Sequence, residues 1–394
     1  MSGRLVAVDA RWVFKEVSGI GRYTLELLKE LGRQENGFRF LVIVRDAERR
    51  DAVSEAAELK GKGQFEFAFV DAGPFAPGGQ FAVARLLKER GAAVYHSTNF
   101  MVPLPAFPAG RVHECQCVCN IHDLIPLVHP EYTPKALKTR FGWVYRGLMK
   151  AIARRVDAVV TGSLSAKRDI VDRLRLPEGK VAVAPDGVDG RYAPGEESGV
   201  RSQESGGGGT KKILYVGRSD PYKNVAGLIR SFARLAKGED GEALDAVLEI
   251  AGPPDARYPE AGRVAKKLGV ADRVRWLGYV SDEELLAAYR GADVLALFSR
   301  YEGFGLPVAE AMACGTPVVC SNAASLPEVA GDAALLVDPD DVAAGASALR
   351  RVLTEPGLAA KMREAGLRQA KKFRWGTAAA AVVQVYETLL TAPK

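Results

Sequence analysis

Long apolar runs are missing from this chain. No stretch approaches the ~18 uninterrupted apolar residues that cross a bilayer as a helix, which excludes an integral membrane protein of the helical kind. The opening residues, MSGRLVAVDARWV, hold one short apolar run and lack the extended apolar stretch of a secretory leader. Cysteine is scarce and odd in number, five in 394 residues, and falls into no disulfide framework. A cytoplasmic protein is expected from that usage. A large charge of one sign is also lacking. The net charge is +6 and the pI about 9.0, a mild excess that admits a phosphate-bearing ligand or an anionic membrane surface without requiring either. No recognised nucleic-acid-binding motif accompanies the positive charge, so no nucleic-acid partner is expected.

What is present is ordinarily globular. The chain is 47% hydrophobic and 26% charged, which excludes wholesale disorder. Its length suggests two or three domains of about 150 residues each. Short β-branched runs alternate with helical segments. Leu5–Val8 reads as a strand, and 23–31 as a helix with Leu25, Leu27 and Leu28 on its buried side and Gly32 as its cap. Further strands are expected at 40–44, 94–95, 118–121, 158–161 and 181–183. The rhythm breaks at 194–210, a polar segment with four glycines at 206–209 that reads as a linker or surface loop. It restarts at 213–216, 246–250, 274–277, 294–297, 317–320 and 334–337, and 377–390 reads as a closing helix. Strands alternating with helices imply parallel sheets. The expectation is two doubly wound α/β halves, with a ligand between them at the carboxyl ends of the strands.

Four stretches carry chemistry. The richest runs from Ser299 to Val319. After the strand at 294–298, Gly303 and Gly305 let the backbone turn and approach a ligand. Pro307 suits the first position of a helix ending at Cys314-Gly315. Backbone N–H groups around Phe304 and Leu306 are then expected to face a diphosphate. Glu302 and Glu310, as acceptor-only carboxylates, suit sugar and ribose hydroxyls. The plain alternative is two solvated surface acids.

The second stretch, Tyr215 to Asn224, places Gly217, Arg218 and Lys223 just beyond a strand, where cations can neutralise a diphosphate. Ordinary surface cations are the alternative. In the third, Ser18-Gly19-Ile20-Gly21-Arg22-Tyr23, a glycine turn can lie beneath a phosphate, although Thr24 stands where a dinucleotide fingerprint needs its third glycine. In the fourth, His122 and Asp123 follow a strand as a pair that can orient a hydroxyl or carry a proton, or serve structure alone.

Together these residues resemble retaining glycosyltransferase family 4, of the glycosyltransferase-B fold, over nearly the whole chain. Glu302 and Glu310, with seven residues between them and GFGLPVAEAMACGTPVV around them, match that family's paired-glutamate motif. The resemblance implies two doubly wound Rossmann-like domains facing a cleft. Their bounds would be 1–193 on the acceptor side, a linker at 194–210, 211–372 binding the nucleotide sugar, and a helix at 373–394 crossing back to the first domain. It implies that Glu310 binds the donor ribose and Glu302 the transferred sugar. Arg218 and Lys223 would hold the diphosphate, and His122 would face the transferred sugar. Gly19 and Gly21 fall in the donor-side loop, and Gly217, Val280, Gly303, Phe304, Gly305 and Leu306 complete the donor set. Pro185-Asp186-Gly187-Val188-Asp189 is similar to a segment near the interdomain hinge. GIGRYT with IHDLIPL resembles bacterial surface-polysaccharide mannosyltransferases. The implied donor is GDP-mannose, with a UDP-sugar as the alternative because Ser281 stands where some guanosine-using relatives carry an acid. No metal or other cofactor is expected. Rival readings are a nucleotide-sugar epimerase or phosphorylase, or a nucleotide-sugar-binding protein without turnover.

Two further features stand apart. Cys115, Cys117 and Cys119 sit near all four histidines, but alternate strand positions bury small apolar side chains equally well. Residues 132–155 interleave seven cations with Phe141, Trp143 and Tyr145. They read as an amphipathic helix, packed on its own sheet or lying on an anionic membrane from the cytoplasmic side to reach a saccharide or lipid-linked acceptor.

Overall fold

The computed structural model describes residues 3–16, 18–195, 209–239, 241–253 and 255–391. Most of the glycine-rich segment read as a linker, 196–208, lies outside the described residues. The chain forms two compact units. The first takes in the chain up to Val128, then Leu137–Gly187 and everything from Trp375; the second takes in His129–Ala136 and Val188–Arg374.

In the first unit seven strands are all parallel: β1 (Leu5–Asp9), β2 (Arg39–Val44), β3 (Phe65–Phe69), β4 (Val94–Ser97), β5 (Gln116–Asn120), β6 (Ala158–Thr161) and β7 (Val181–Val183). Their order is β3-β2-β1-β4-β5-β6-β7. Both faces of β1 are buried. Leu5 and Ala7 join one apolar cluster, and Val6 and Val8 join the other. That two-sided burial explains why the inner strands read as continuous apolar runs. β3 was not legible as a run because it is an edge strand, FEFAF, with only Ala68 buried. The helix Trp375–Thr391 packs on this unit, with Trp375, Val382 and Tyr386 in the same cluster as Tyr23 and Leu27 of the helix Gly19–Leu31.

The second unit has six parallel strands: β8 (Lys211–Val216), β9 (Ala246–Ala251), β10 (Val274–Gly278), β11 (Val294–Leu297), β12 (Val318–Ser321) and β13 (Ala334–Val337). Their order is β10-β9-β8-β11-β12-β13. The order reverses between β1 and β4 in one sheet and between β8 and β11 in the other. A crevice opens outside the carboxyl ends of the strands at such a reversal, and open α/β sheets bind ligands there.

The basic segment is not one helix. A short turn at Pro130–Tyr132 is followed by Leu137–Arg140 and then Gly142–Ala153, with Phe141 (φ −108°, ψ 44°) breaking the run. Pro134, and Gly142 at the break, explain the interruption. Among the described residues no helix is long and apolar enough to cross a membrane.

Candidate active site

In the second unit the loops leaving β8 and β9 come together through glycine. Gly217 has φ +145° and Gly252 φ +157°, and a Cβ on Gly252 would lie 2.0 Å from the Gly217 carbonyl oxygen. Only glycine permits that approach. The Tyr215 hydroxyl donates to the carbonyl of Arg218 at 2.6 Å, which fixes the turn that presents the guanidinium. Arg218 is 55% exposed and pairs with Asp220 at 3.0 Å and Asp255 at 3.4 Å. Asp255 also pairs with Arg257, and hydrogen bonding to that guanidinium holds its carboxyl down to about 2.

Lys223 ends a short helical turn, and Asn224 follows in the left-handed region (φ +52°), its amide donating to the carbonyl of Pro339. The Lys223 ammonium donates to both oxygens of Glu302, at 2.8 and 2.7 Å. Lys223 follows β8 and Glu302 follows β11, so the pair spans the reversal point of the sheet. The Ser325 hydroxyl fastens the Glu302 loop through the carbonyls of Glu302 (2.9 Å) and Phe304 (2.7 Å). Gly305 (φ +103°) is the N-cap of the helix Leu306–Ala313, and a Cβ there would meet Leu326 at 2.6 Å. Pro307 therefore occupies the second helical position, not the first, and Leu306 opens the helix.

Neither glutamate is a solvated surface acid: Glu302 is 7% exposed and Glu310 6%. The Glu310 carboxylate accepts from the Tyr289 hydroxyl at 2.7 Å. Tyr289 is fully buried, and burial followed by the Glu310 charge pushes its pKa well up, so it stays a donor. Tyr289 was not singled out in the sequence; it lies 21 residues from its partner, and no local motif joins them. Val280 is half-buried against the second unit's core, beside Tyr279, which is 82% exposed. Ser281 caps the helix Asp282–Gly291, accepting from the Glu284 N–H while the Glu284 carboxylate reaches back to its own N–H.

The first unit places the remaining residues. Gly19 and Gly21 do not form a glycine turn: they belong to the first turn of the helix Gly19–Leu31, whose N-cap is Ser18, with its hydroxyl accepting from the Gly21 N–H at 3.2 Å. The helix starts early because a serine cap outweighs the low propensity of two glycines. His122 and Asp123 take different partners. The His122 Nε2 donates to the Thr98 carbonyl at 3.1 Å, and Asp123 accepts from the Ile125 N–H. The Tyr23 ring meets His122 edge to face at 5.0 Å. Asp186 and Tyr23 each bury a side-chain oxygen without a hydrogen-bond partner, and Asp186 interacts electrostatically with both His122 and Tyr23. Burial pushes the Asp186 carboxyl up, and the His122 charge opposes that shift.

Cys117 and Cys119 lie in the first unit's apolar cluster with Cys115 packed against it, and burial holds all three thiols protonated, Cys115 and Cys119 up to about 12. Among the described residues no group of three or more His, Cys, Asp or Glu is placed to hold a metal ion.

Residues 17–191 match the family model Glycosyltransferase Family 4, and residues 200–369 match Glycosyl transferases group 1. The chain is similar to O-antigen chain mannosyltransferase B of Escherichia coli, 28% identical over 388 residues, which is 95% of this chain and 97% of that protein. It is also similar to the MMP alpha-(1->4)-mannosyltransferase of Mycolicibacterium hassiacum, 35% identical across 61% of this chain and 56% of that one. Among solved structures, sucrose-phosphate synthase from Thermosynechococcus elongatus superposes with a TM-score of 0.75 at 21% identity, covering 99% of this chain and 100% of that one. Anabaena HepE in complex with UDP and glucose superposes at 0.73 and 18% identity with the same coverage. The fold is that of the glycosyltransferase-B enzymes, and with the two family models spanning almost the whole length, the chain belongs to glycosyltransferase family 4, glycosyl transferases group 1, and is a hexosyltransferase.

Proposed function

We propose that this enzyme transfers mannose from GDP-mannose, with retention of configuration and without a metal, to a saccharide or lipid-linked acceptor in cell-surface polysaccharide synthesis. It would act peripherally at the inner face of the membrane. The observation that carries the reading is the Lys223–Glu302 pair across the β8/β11 reversal, beside a helix N-terminus that opens at Gly305. The two mannosyltransferase relatives support mannose as the sugar.

In this reading Arg218, Lys223 and backbone N–H groups near Gly217, Gly303, Phe304 and Leu306 receive the diphosphate. Glu310 holds the ribose and Val280 lies at the base. The bond from the anomeric carbon to the diphosphate oxygen breaks, and its electron pair leaves with the diphosphate. The acceptor hydroxyl attacks from the same face, and its proton passes to the departing diphosphate. Charge grows on the leaving group through an oxocarbenium-like state, so fixed cations stabilise the transition state more than the ground state. Glu302 and His122 face the transferred sugar, and Glu302 also orients Lys223.

A UDP-sugar is the second reading. The Anabaena structure with UDP and glucose favours it, and the Ser281 hydroxyl, where an acid would read guanine, serves a helix cap. Thermal shift with GDP, UDP, ADP and their sugars decides the base, since a ligand at 100-fold its Kd adds about 2.7 kcal/mol. GDP and GDP-mannose should raise the melting temperature; a rise with UDP alone overturns the guanosine assignment. Activity should persist in EDTA, and loss restored only by a divalent ion would overturn the metal-independent mechanism.

A further inference from the structure

The donor reading leaves one face of the first unit unused. The loops leaving β1 and β4, the strands flanking that sheet's reversal, carry Trp12 and Phe100. Their rings lie 6.5 Å apart, and Phe75 lies 5.7 Å from Trp12 and 5.8 Å from Phe100. Trp12 and Phe100 are themselves buried and form the packed base of this switch point, so the ring that a ligand there would meet is Phe75, which is 54% exposed. The chain of rings continues from Phe100 to Tyr145 at 5.9 Å. Lys138 sits on both, its Nζ 4.6 Å from the Phe100 centroid and 5.4 Å from that of Tyr145. Lys138 is exposed, so its ammonium rests on these rings while staying open to an arriving anion.

The same floor runs into an unusual surface. Residues 133–155 contain no aspartate or glutamate, and 137–155 carry Lys138, Arg140, Arg146, Lys150, Arg154 and Arg155. The helix Gly142–Ala153 already buries Tyr145, Met149 and Ile152 in its own unit. A second apolar set, Leu137, Phe141, Trp143 and Val144, is left exposed, Trp143 to 80%. Exposed aromatics among cations with no acid are complementary to the headgroup layer of an anionic bilayer, where a Trp ring sits between water and hydrocarbon.

We propose that this surface is the seat of a lipid-phosphate acceptor: Leu137, Phe141, Trp143 and Val144 enter the headgroup layer of an anionic membrane, and Lys138 takes the acceptor's phosphate beside the Trp12–Phe100 floor. The word acceptor rests on the transferase reading above; the lipid contact does not.

Flotation of the full chain with three vesicles tests it: phosphatidylcholine alone, phosphatidylcholine with phosphatidylglycerol, and the second mixture with some phosphatidylglycerol exchanged for a long-chain prenyl phosphate at matched charge. The chain should float with the second and not the first, and bind the third about tenfold more tightly. Phe141→Ser with Trp143→Ser should weaken partition about tenfold or more. Arg146→Gln and Lys150→Gln should each weaken it about fivefold. Lys138→Gln should weaken phosphatidylglycerol binding no more than Arg146→Gln does, and should lose the prenyl-phosphate increment. Equal partition on the first two vesicles, or unchanged partition of the serine variant at an unchanged melting temperature, overturns the docking. An increment that Lys138→Gln retains, or that millimolar inorganic phosphate removes, overturns the Lys138 assignment. GDP binding by the same variants, read by thermal shift, reports separately on the donor reading.

Discussion

Around the carboxyl ends of β8 and β11 the second unit gathers charge, whereas around those of β1, β4 and β5 the first gathers rings and neutral polar groups. Arg218, Arg257 and Lys223 face Asp220, Asp255 and Glu302 on one side. On the other, His96 lies between the Tyr386 hydroxyl (2.6 Å) and the Asn120 side chain (2.7 Å), near Tyr23 and His122. The first unit does hold an ion pair at its switch point, but a sealed one: Asp9 and Arg11 are 0% and 1% exposed, and the Tyr95 hydroxyl also donates to Asp9. Exposure separates the two uses of charge. An exposed pair such as Arg218 with Asp220 contributes little to stability, so its cation can turn to an incoming diphosphate at small cost. A sealed pair cannot be exchanged; it holds the loop that carries Trp12.

The sharpest way to break this contrast is Lys223→Ala. It removes a cation from the leaving group and also strands the buried Glu302 carboxylate where negative charge develops. kcat should fall about 10³-fold, against about 10²-fold for Arg218→Ala, whose partners are more exposed. Steady-state kinetics on both variants measure it. A double variant, Lys223→Ala with Glu302→Gln, should recover part of the loss; additive losses would show that the pair does not act as a unit.

The second test belongs to the first unit. Arg11→Ala leaves Asp9 buried without its partner, and the melting free energy should drop by about 4 kcal/mol. A change below about 1 kcal/mol would mean that Tyr95 alone holds the carboxylate. Arg11→Met with Asp9→Leu should be far milder, because replacing both partners removes the unpaired charge.

The same contrast decided what was legible beforehand. In the second unit the donor residues lie on contiguous stretches after single strands, so Gly217 with Arg218 and Lys223, and Glu302 with Glu310, could be read in line. What could not be read there was pairing across the sheet, Lys223 with Glu302 and Glu310 with Tyr289, because parallel crossovers separate the partners by many residues. In the first unit the chemistry is dispersed over β1, β4, β5, the helix Gly19–Leu31 and the closing helix. His96 met Tyr386 from 290 residues away, and nothing local marks either. Asp9-Ala10-Arg11 does carry a signal in line: an acid closing a buried strand, with an arginine two residues on, has to be paired. The glycines at 19 and 21 mislead because Gly-x-Gly spacing looks like a turn, whereas the Ser18 cap before them starts a helix.

A smaller effect should follow from His96. Burial, reinforced by the nearby His122, takes its pKa from 6.5 to about 4. Between those values the unfolded chain binds the proton and the folded one does not, so stability is lost as pH falls through that window, by about 3 kcal/mol in full. Asp186, whose carboxyl is raised by burial, works in the opposite sense above the ordinary carboxylate range. Melting curves from about pH 7 to about pH 4.5 should therefore fall for the native chain, and His96→Gln should flatten that fall. An identical slope in both would remove His96 as the acid-sensitive group.

The smallest expected effect separates binding from catalysis in the charged half. Glu310 is buried inside the helix Leu306–Ala313, and the Tyr289 hydroxyl donates to its Oε2. The tyrosine backbone is itself held, its carbonyl accepting from the Thr316 hydroxyl at 2.6 Å, so the carboxylate is aimed before any ligand arrives. If Glu310 holds the ribose, the contact is the same in ground and transition states, because the ribose changes little as the glycosidic bond breaks. Loss of such uniform binding raises KM and spares kcat. Glu310→Gln keeps the shape and removes the charge, and donor KM should rise about tenfold at near-constant kcat. Tyr289→Phe leaves the carboxylate charged but less firmly aimed, and its KM should rise about threefold, the loss of one modest hydrogen bond. Both variants need an unchanged melting temperature for the comparison to hold. A fall in kcat for Glu310→Gln, with KM unmoved, would place this carboxylate at the reacting sugar and leave the ribose to another residue.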